Sequence, residues 1–260
     1  MILTALSIIT GLIVAYSHQT AKVADATHPL SEHSTVSIII PAYSEEEYIE
    51  TALSSIANQN VVLANPDSFE IITVVDERCT DRTAEIAQQY GKVVYAEAGK
   101  LTAKNVGAEH AAGDILVFID ADVDLKPNFL NLMLRHFNDP EVVAVGGVLM
   151  QGGLLQQIGC VYFNMYWLPL TKTLVGNSTA VRKNAFQAVG GYNLGIDQFN
   201  RREINIAEEV EFSRKLSQLG KVVIDTEASV SLARLINVQC SDCSIQNCPL
   251  CVQRAVGARF

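Results

Sequence analysis

The sequence predicts an α/β protein whose sheet is mainly parallel and covered by helices on both faces. Three observations predict this class. Short apolar runs of strand length recur from Val36 onward. A segment with helical signals follows each of the first three runs. In addition, 49% of the residues are hydrophobic and 18% are charged. Alternating strands and helices are typical of βαβ units, and this composition indicates a folded domain with a sizeable core.

The elements follow in a regular order. The predicted strands are Val36–Ile40, Glu70–Val75, Lys92–Ala96 and Ile115–Ile119. After the first strand, Ser44 and Glu47 have the spacing of a capping box, which predicts a helix start. Further helices are predicted over residues 80–91, 101–112 and 207–221. In the last of these, Phe212, Leu216 and Leu219 form the apolar stripe.

Acidic and turn-forming residues gather just after three of these strands, at residues 41–45, 76–81 and 120–124. In open α/β sheets, ligands bind beyond the carboxyl ends of the strands. One such strand end is typical of a solvated loop or a helix cap. Three coinciding ends favour a binding site.

The stretch "VFIDADVDLKP" places Asp120, Asp122 and Asp124 at every second position. On a continuing strand the three carboxylates would share one side, and their mutual repulsion predicts a positive species among them. The net charge of -9 and the pI near 5.0 argue against a nucleic-acid partner, because phosphate binding needs clustered Lys and Arg. An acidic protein that binds phosphates is expected to use a divalent cation as a bridge.

The first sixteen residues, "MILTALSIITGLIVAY", carry no charged side chain. A bilayer span needs about 20 apolar residues, with about 17 as a practical minimum. The run therefore indicates a short membrane anchor, the core of a signal peptide or a buried helix. Residues 18–34 are polar and unpatterned and are interpreted as a linker.

Four ordered blocks carry a family resemblance. "VSIIIPAYSEEEYIETALSSIANQ", "EIITVVDERCTDRTAEIA", "GKLTAKNVGAEHAAGDILVFIDADVDLKPNFL" and "GGYN" followed by "EEVEFSRKLSQLGK" resemble the successive motifs of family 2 glycosyltransferases, from Val36 to Ile224. The resemblance implies a single domain of GT-A fold, in which a mixed, mainly parallel Rossmann-like sheet is flanked by helices. It also implies a nucleotide-sugar donor.

The resemblance assigns roles to the strand ends. Asp120, Ala121 and Asp122 match the family's Asp-x-Asp motif, in which the carboxylates contact the ribose and hold Mn²⁺ or Mg²⁺ at the diphosphate. A hard cation with oxygen ligands would offset the charge of a nucleoside diphosphate leaving group. Asp120 and Asp122 are thus the predicted metal ligands. The metal ion is then the positive species expected among the three carboxylates. Asp124 is interpreted as a flanking, solvated carboxylate.

Further donor contacts are implied at the other strand ends. The nucleotide-binding residues implied by the resemblance, besides Asp120 and Ala121, are Pro41, Ala42, Tyr43, Glu45, Asp76, Glu77, Lys104 and Asn105. The family's usual "DDGSTD" reads "DERCTD" here, so that Arg78 replaces a glycine and the identity of the base stays open between UDP- and GDP-sugars. Lys104 replaces an arginine and keeps the charge but not the fork of donors. As an alternative, Lys104 would be an exposed helix lysine.

The acidic pair Glu208-Glu209 falls where the family has Glu-Asp at the start of a helix. The resemblance places Glu209 at the general base, with Glu208 as its neighbour. An inverting transfer needs a base to take the proton of the acceptor hydroxyl, and paired carboxylates raise one another's pKa. The alternative is that both are helix N-terminal acids favoured by the helix dipole.

Four cysteines, Cys240, Cys243, Cys248 and Cys251, form two C-x-x-C pairs near the end of the sequence. Thiolates at this spacing suggest a structural zinc site, although the four-residue spacer is shorter than in zinc ribbons. An iron–sulfur cluster and unligated thiols are the alternatives. The Gln-x-x-Arg-Trp motif of the family's processive members is not supplied by "VQRAVGARF".

The expectation is therefore a metal-dependent, inverting glycosyltransferase that transfers one sugar to a glycan, a lipid-linked acceptor or a small molecule. The predicted organisation is a membrane anchor at 1–17, a linker at 18–34, a GT-A domain at 35–230 and a cysteine-rich tail at 231–260. Because nucleotide-sugars are cytosolic in most cells, the catalytic domain is expected on the cytoplasmic side of the membrane. The alternatives are a retaining enzyme that makes a small glycoside and a non-catalytic nucleotide-sugar-binding module.

Overall fold

Eight strands form one mixed sheet in the order β3-β2-β1-β4-β7-β6-β8-β5. Their bounds are β1 Val36–Ala42, β2 Phe69–Asp76, β3 Lys92–Ala96, β4 Ile115–Ile119, β5 Val123–Leu125, β6 Val142–Leu149, β7 Ser178–Arg182 and β8 Lys221–Leu232. The first four strands pair in parallel. Strand β7 runs antiparallel to β4 and to β6. The computed structural model describes residues 34–149, 164, 168–197 and 206–233.

Helices cover both faces of this sheet. They are α1 Ile49–Ala57, α2 Asn60–Ala64, α3 Thr83–Ala87, α4 Lys100–His110, α5 Phe129–Leu134, α6 Leu168–Thr171, α7 Lys183–Ala188, α8 Leu194–Asp197 and α9 Ile206–Leu216. Alternate residues of β1 divide between two apolar clusters. Ile38 and Ile40 pack with α1 and α5, whereas Ile39 packs with α4, α7 and α9. The structure confirms the predicted α/β class with a sheet buried on both faces.

One tight contact fixes α4 on the sheet. A Cβ atom at Gly107 would lie 2.4 Å from Ile39 Cγ2 and 3.0 Å from Val74 Cγ2. Both neighbours are fully buried and β-branched, so they have little room to yield. The glycine therefore lets the helix backbone approach β1 and β2, and this brings the first turn of α4 to the carboxyl ends of the strands.

Three details of the sequence interpretation are wrong. Helix α1 begins at Ile49, and Ser44 lies in the left-handed region with φ 55°, so no capping box forms. Asp120 and Asp124 do not share one strand, because the chain turns after β4 and Asp124 lies on β5, which pairs with β8. Leu219 lies beyond the end of α9 and is half exposed.

Several predicted segments lie outside the described residues. These are the apolar run within 1–17, nearly all of the linker at 18–34 and the four cysteines of the tail. Among the residues that are described, no helix has the length and apolar character needed to cross a membrane.

An ion cluster joins Asp225 of β8 to Arg135 and His136, which directly follow α5. Asp225 Oδ2 lies 2.9 Å from an Arg135 nitrogen and 2.8 Å from His136 Nε2, and its side chain is only 3% exposed. Burial raises the pKa of Asp225, but the hydrogen bond from His136 and the charge of Arg135 outweigh this effect and leave the pKa below its usual value. The carboxylate is therefore charged and paired in the folded protein.

We expect Asp225→Asn to lower the free energy of unfolding at pH 7 by about 3 kcal/mol, because it leaves the Arg135 charge without its buried partner. Since the folded pKa lies below the unfolded value of 3.8, this stabilisation is present above that pH and is lost as the pH falls through the folded pKa. Urea unfolding at several pH values measures it. Glu227→Gln, which removes the more exposed partner of the same arginine, is the control and should cost less than about 1 kcal/mol. Equal losses in both variants would contradict the assignment.

Candidate active site

The ends of β1 and β2 form the first corner of the site. We define it by Tyr43, Asp76 and Arg78 and call it the base corner, after the nucleotide base that the resemblance predicts there. Pro41 and Ala42 are the last residues of β1 and are buried opposite Val74 and Val75 of β2. The chain then turns outward, and Tyr43 is 51% exposed. This strand end therefore presents one aromatic face to an incoming ligand.

Asp76 ends β2 and has a single dominant partner. Both of its oxygens accept hydrogen bonds from the Arg78 guanidinium at 2.9 and 2.8 Å, and Oδ1 also accepts the Arg78 backbone N–H at 2.9 Å. The Arg78 guanidinium lies 5.1 Å from the centre of the Tyr43 ring. The hydrogen bond from Arg78 holds the pKa of Asp76 below its usual range. The arginine that departs from the family pattern thus contacts both of the other members of the base corner.

Two other predicted donor contacts lie in the loops beside this corner. The Glu45 backbone N–H donates to Thr83 Oγ1 at 2.9 Å, which ties the loop after β1 to the start of α3. Glu77 is exposed, and its backbone N–H donates to the Ala96 carbonyl at 3.0 Å. The structure gives each of these residues a backbone role, while a role for their side chains in donor binding stays a prediction.

The tip of β4 forms a second corner, around Asp120. Its Oδ2 pairs with Lys100 Nζ at 2.8 Å, whereas its Oδ1 is buried and has no hydrogen-bond partner among the described residues. Ala121 is buried, and the backbone oxygen of Asp122 accepts the Ala233 N–H. A buried carboxylate oxygen without a donor is suited to a hard cation, and Mg²⁺ is commonly bound through one or two carboxylates together with substrate phosphates. Asp120 therefore fits the metal implied by the family, and the role of the Asp122 side chain as a second ligand stays a prediction.

Lys100 is a site residue that the sequence interpretation missed. It is the first residue of α4 and follows Gly99, whose φ of 133° favours glycine. A signal was present, because Lys100 lies shortly after β3, at the carboxyl end of a fourth parallel strand that was not considered. Desolvation lowers the pKa of Lys100 only in part, since its side chain is 48% exposed, and the charges of Asp120, Glu209 and Glu208 outweigh this effect and raise the pKa.

Asp124 lies apart from this tip. It contributes, together with Tyr90 and residues of α1, to a separate cleft of about 480 Å³. Burial raises the pKa of Asp124, so this carboxylate is not the fully solvated group that the sequence suggested.

Glu209, Gly176 and Lys104 form the third corner. Gly176 is held at both ends of its backbone: its N–H donates to Glu209 Oε1 at 2.7 Å, and its carbonyl accepts from Lys104 Nζ at 2.7 Å. A Cβ atom at Gly176 would lie 2.3 Å from Glu209 Oε1, so a side chain at this position would displace the Glu209 carboxylate. The structure therefore places the predicted general base, Glu209, and the predicted donor-binding lysine, Lys104, on the N–H and the C=O of the same residue.

Lys104 is buried, with 1% of its surface exposed, which excludes the exposed helix lysine considered from the sequence. Burial, followed by the charge of Lys100, lowers the pKa of Lys104 to about 8. Burial raises the pKa of Glu209, and the charge of Lys104 partly offsets this effect. The charges of Asp120 and Glu209 both favour the protonated form of Lys104 and of Lys100. The tip of β4 and the start of α9 are therefore electrostatically coupled through the two lysines.

Asn105, the neighbour of Lys104, has a different set of partners. Its Oδ1 accepts the Tyr192 N–H and its Nδ2 donates to the Tyr192 carbonyl, both at 2.9 Å. Gly190 and Gly191 have φ values of 79° and 70°, which allow the tight turn that brings Tyr192 to α4. The structure shows Asn105 as a support of this turn, and its contact with a nucleotide stays a prediction.

The fold and these three corners define a glycosyltransferase of GT-A fold. The chain belongs to glycosyl transferase family 2, whose family model matches residues 37–186. The family predicted from the motifs and the GT-A fold are thereby confirmed.

The similar proteins include enzymes of known structure. A mannosyltransferase of Pyrobaculum calidifontis, in complex with GDP-Man and Mn²⁺, superposes with a TM-score of 0.61 at 20% identity, over 89% of this chain and 67% of that one. TarS of S. aureus, residues 1–349 in complex with UDP, superposes with a TM-score of 0.59 at 17% identity, over 76% and 60%. At these identities the likeness shows the fold alone.

Among the curated relatives, dolichol-phosphate mannosyltransferase of Pyrococcus furiosus is 33% identical over 128 residues, which are 46% of this chain and 35% of that protein. The chain spans about a third of the length of the first four relatives that it matches.

We expect Asn105→Ala to lower the free energy of unfolding by about 1–3 kcal/mol, because it leaves the N–H and C=O of Tyr192 without partners. Urea unfolding measures the loss. Asn193→Ala, at an exposed neighbouring position, is the control and should cost less. If Asn105→Ala unfolds like the native protein but binds nucleotide more weakly, the supporting role is wrong and the predicted donor contact is right.

Proposed function

We propose that the protein is a metal-dependent, inverting glycosyltransferase that moves one sugar from a UDP- or GDP-sugar to an acceptor hydroxyl. The observation that carries this proposal is the position of two carboxylates in one electrostatic environment. Asp120, at the tip of β4, has a buried oxygen that suits a cation. Glu209, at the start of α9, is a carboxylate whose raised pKa suits a base.

Different corners would bind different parts of the donor. Tyr43 and Asp76 offer a ring face and a hydrogen-bond acceptor for the base. Lys100 and Asp120 lie where the diphosphate would bind, and a divalent ion held by Asp120 and Asp122 would offset the charge of the leaving nucleoside diphosphate. The Lys100 ammonium adds a second positive charge beside the same group.

Glu209 serves as the base in this proposal. The acceptor oxygen attacks the anomeric carbon, the bond from that carbon to the diphosphate oxygen breaks, and the acceptor proton passes to the Glu209 carboxylate. Glu209 Oε1 is held by the Gly176 N–H, so Oε2 would take the proton. Lys104 holds the carbonyl of the same residue, so that Gly176 is anchored on both sides and the Glu209 carboxylate would be positioned before the acceptor arrives.

A lipid-linked hydroxyl or phosphate is the acceptor class that we favour. The name of the archaeal dolichol-phosphate mannosyltransferase supports it, as does the apolar run within residues 1–17. A panel of lipid phosphates offered with labelled donor tests this class, and transfer to soluble sugars alone would count against it. The anomeric configuration of the product separates an inverting from a retaining reaction.

We expect Asp120→Asn and Asp122→Asn to weaken the Mn²⁺-dependent binding of UDP or GDP at least about tenfold, because each removes a negative ligand from the cation. Isothermal titration calorimetry with Mn²⁺ and with EDTA measures the effect. Asp124→Asn is the matched control, since this third carboxylate lies in a separate cleft, and it should leave binding unchanged. Undiminished nucleotide binding in EDTA would rule out the metal role.

We expect Glu209→Gln to lower kcat by about 10² or more with little change in donor affinity, because the amide keeps the size but cannot accept a proton. Hydrolysis of the donor, with water as acceptor, provides a readout before the acceptor is known, and it also argues against a non-catalytic binding module. In the native protein the rate should fall as the pH drops through the raised pKa of Glu209. If Glu208→Gln is the inactive variant instead, the base is the neighbouring residue.

A further inference from the structure

Arg78 contacts both of the side chains that we assign to the nucleotide base. Its guanidinium forms two hydrogen bonds to Asp76 and lies 5.1 Å from the centre of the Tyr43 ring. The Asp76 side chain is 8% exposed, whereas that of Arg78 is 58% exposed. One member of this pair is thus anchored in the sheet, and the other can turn into solvent.

The acceptor capacity of Asp76 is nearly used up. A carboxylate has about four lone-pair sites, and Arg78 occupies three of them through its Nε, one terminal nitrogen and its backbone N–H. A base that offers ring N–H groups to Asp76 must compete with the guanidinium. A base that stacks on Tyr43 meets the same guanidinium on the ring.

We propose that Arg78 is an internal occupant of the base corner, and that it lowers the affinity of the donor site for nucleotides because it competes with the nucleotide base. This inference rests on the proposed function. Arg78 leaves Asp76 and Tyr43 when a nucleotide base binds, because it is the exposed partner. If the closed arrangement outweighs the open one by about tenfold, the apparent Kd for the nucleotide is about tenfold weaker than the intrinsic Kd. Ligands without a base do not bear this cost.

The test compares UDP, GDP and inorganic pyrophosphate, each titrated with Mn²⁺ into the whole chain by calorimetry. We expect Arg78→Ala to bind UDP or GDP about tenfold more tightly than the native protein and to bind pyrophosphate unchanged. Arg78 has no left-handed backbone conformation, so alanine is compatible with this position. Removing a positive charge would by itself weaken anion binding. Tighter binding therefore cannot result from the change in charge.

Two further variants make the comparison specific. Arg82→Ala removes the same charge from the next turn of the chain, where the arginine is exposed and pairs with Glu85, and it should leave all three affinities unchanged. Arg78→Lys keeps the charge but loses the fork and the contact with the ring, and it should tighten nucleotide binding to an intermediate degree. It also serves as the test if Arg78→Ala fails to fold.

Weaker or unchanged nucleotide binding in both Arg78 variants would overturn the inference, since the arginine would then be a base contact or a bystander. An equal change in pyrophosphate binding would overturn it as well. These results leave the proposed function intact as long as the native protein binds UDP or GDP. If neither the native protein nor the Arg78 variants bind a nucleoside diphosphate, the donor class itself is wrong, and the inference fails with it.

Discussion

The buried ammonium of Lys104 is the charge on which the rest of the site depends. It lies in the middle of α4, 1% exposed, and donates to the Gly176 carbonyl at 2.7 Å. Burying an ammonium is costly unless it is paired and hydrogen-bonded. Here the charges of Asp120 and Glu209 favour the ammonium, while the ammonium favours the charged form of Glu209. Together with Lys100, which pairs with Asp120, this lysine thus offsets the charges of two carboxylates from distant parts of the chain.

The sheet explains why these groups meet. Strands β1, β2, β3 and β4 are parallel, so their carboxyl ends lie on one edge, and α4 begins at this edge because Gly107 lets it approach β1 and β2. Strand β7 then runs antiparallel to β4, which brings Gly176, just before β7, beside the tip that carries Asp120. The antiparallel direction of β7 therefore brings the third corner, formed by Glu209, Gly176 and Lys104, to the edge of the sheet that carries Asp120.

The strand runs and the acidic strand ends were readable from the sequence, because local periodicity determines where buried strands form and parallel pairing aligns their ends. Two further features could not be read in this way. The change of direction after Asp120 depends on the pairing of β5 with β8, which lies far away in the sequence. The roles of Asn105 and Lys104 depend on Tyr192 and Gly176, and a single sequence does not reveal such partners. The capping box was misread because the backbone N–H groups of Glu45 and Glu46 donate to Thr83, at the start of α3, and to Asp81, in the loop before it.

The three corners differ in how firmly their side chains are held by hydrogen bonds and burial. Asp120 Oδ2 pairs with Lys100 and Glu209 Oε1 accepts the Gly176 N–H, so both carboxylates have partners within the protein. The base corner instead combines the buried Asp76 with two exposed side chains, Arg78 and Tyr43. A nucleotide base bound at the base corner, as we propose, would have to displace Arg78 from Asp76 and Tyr43. Arg78, one of the departures of this chain from the family pattern, thus lies in the corner that has the more exposed side chains.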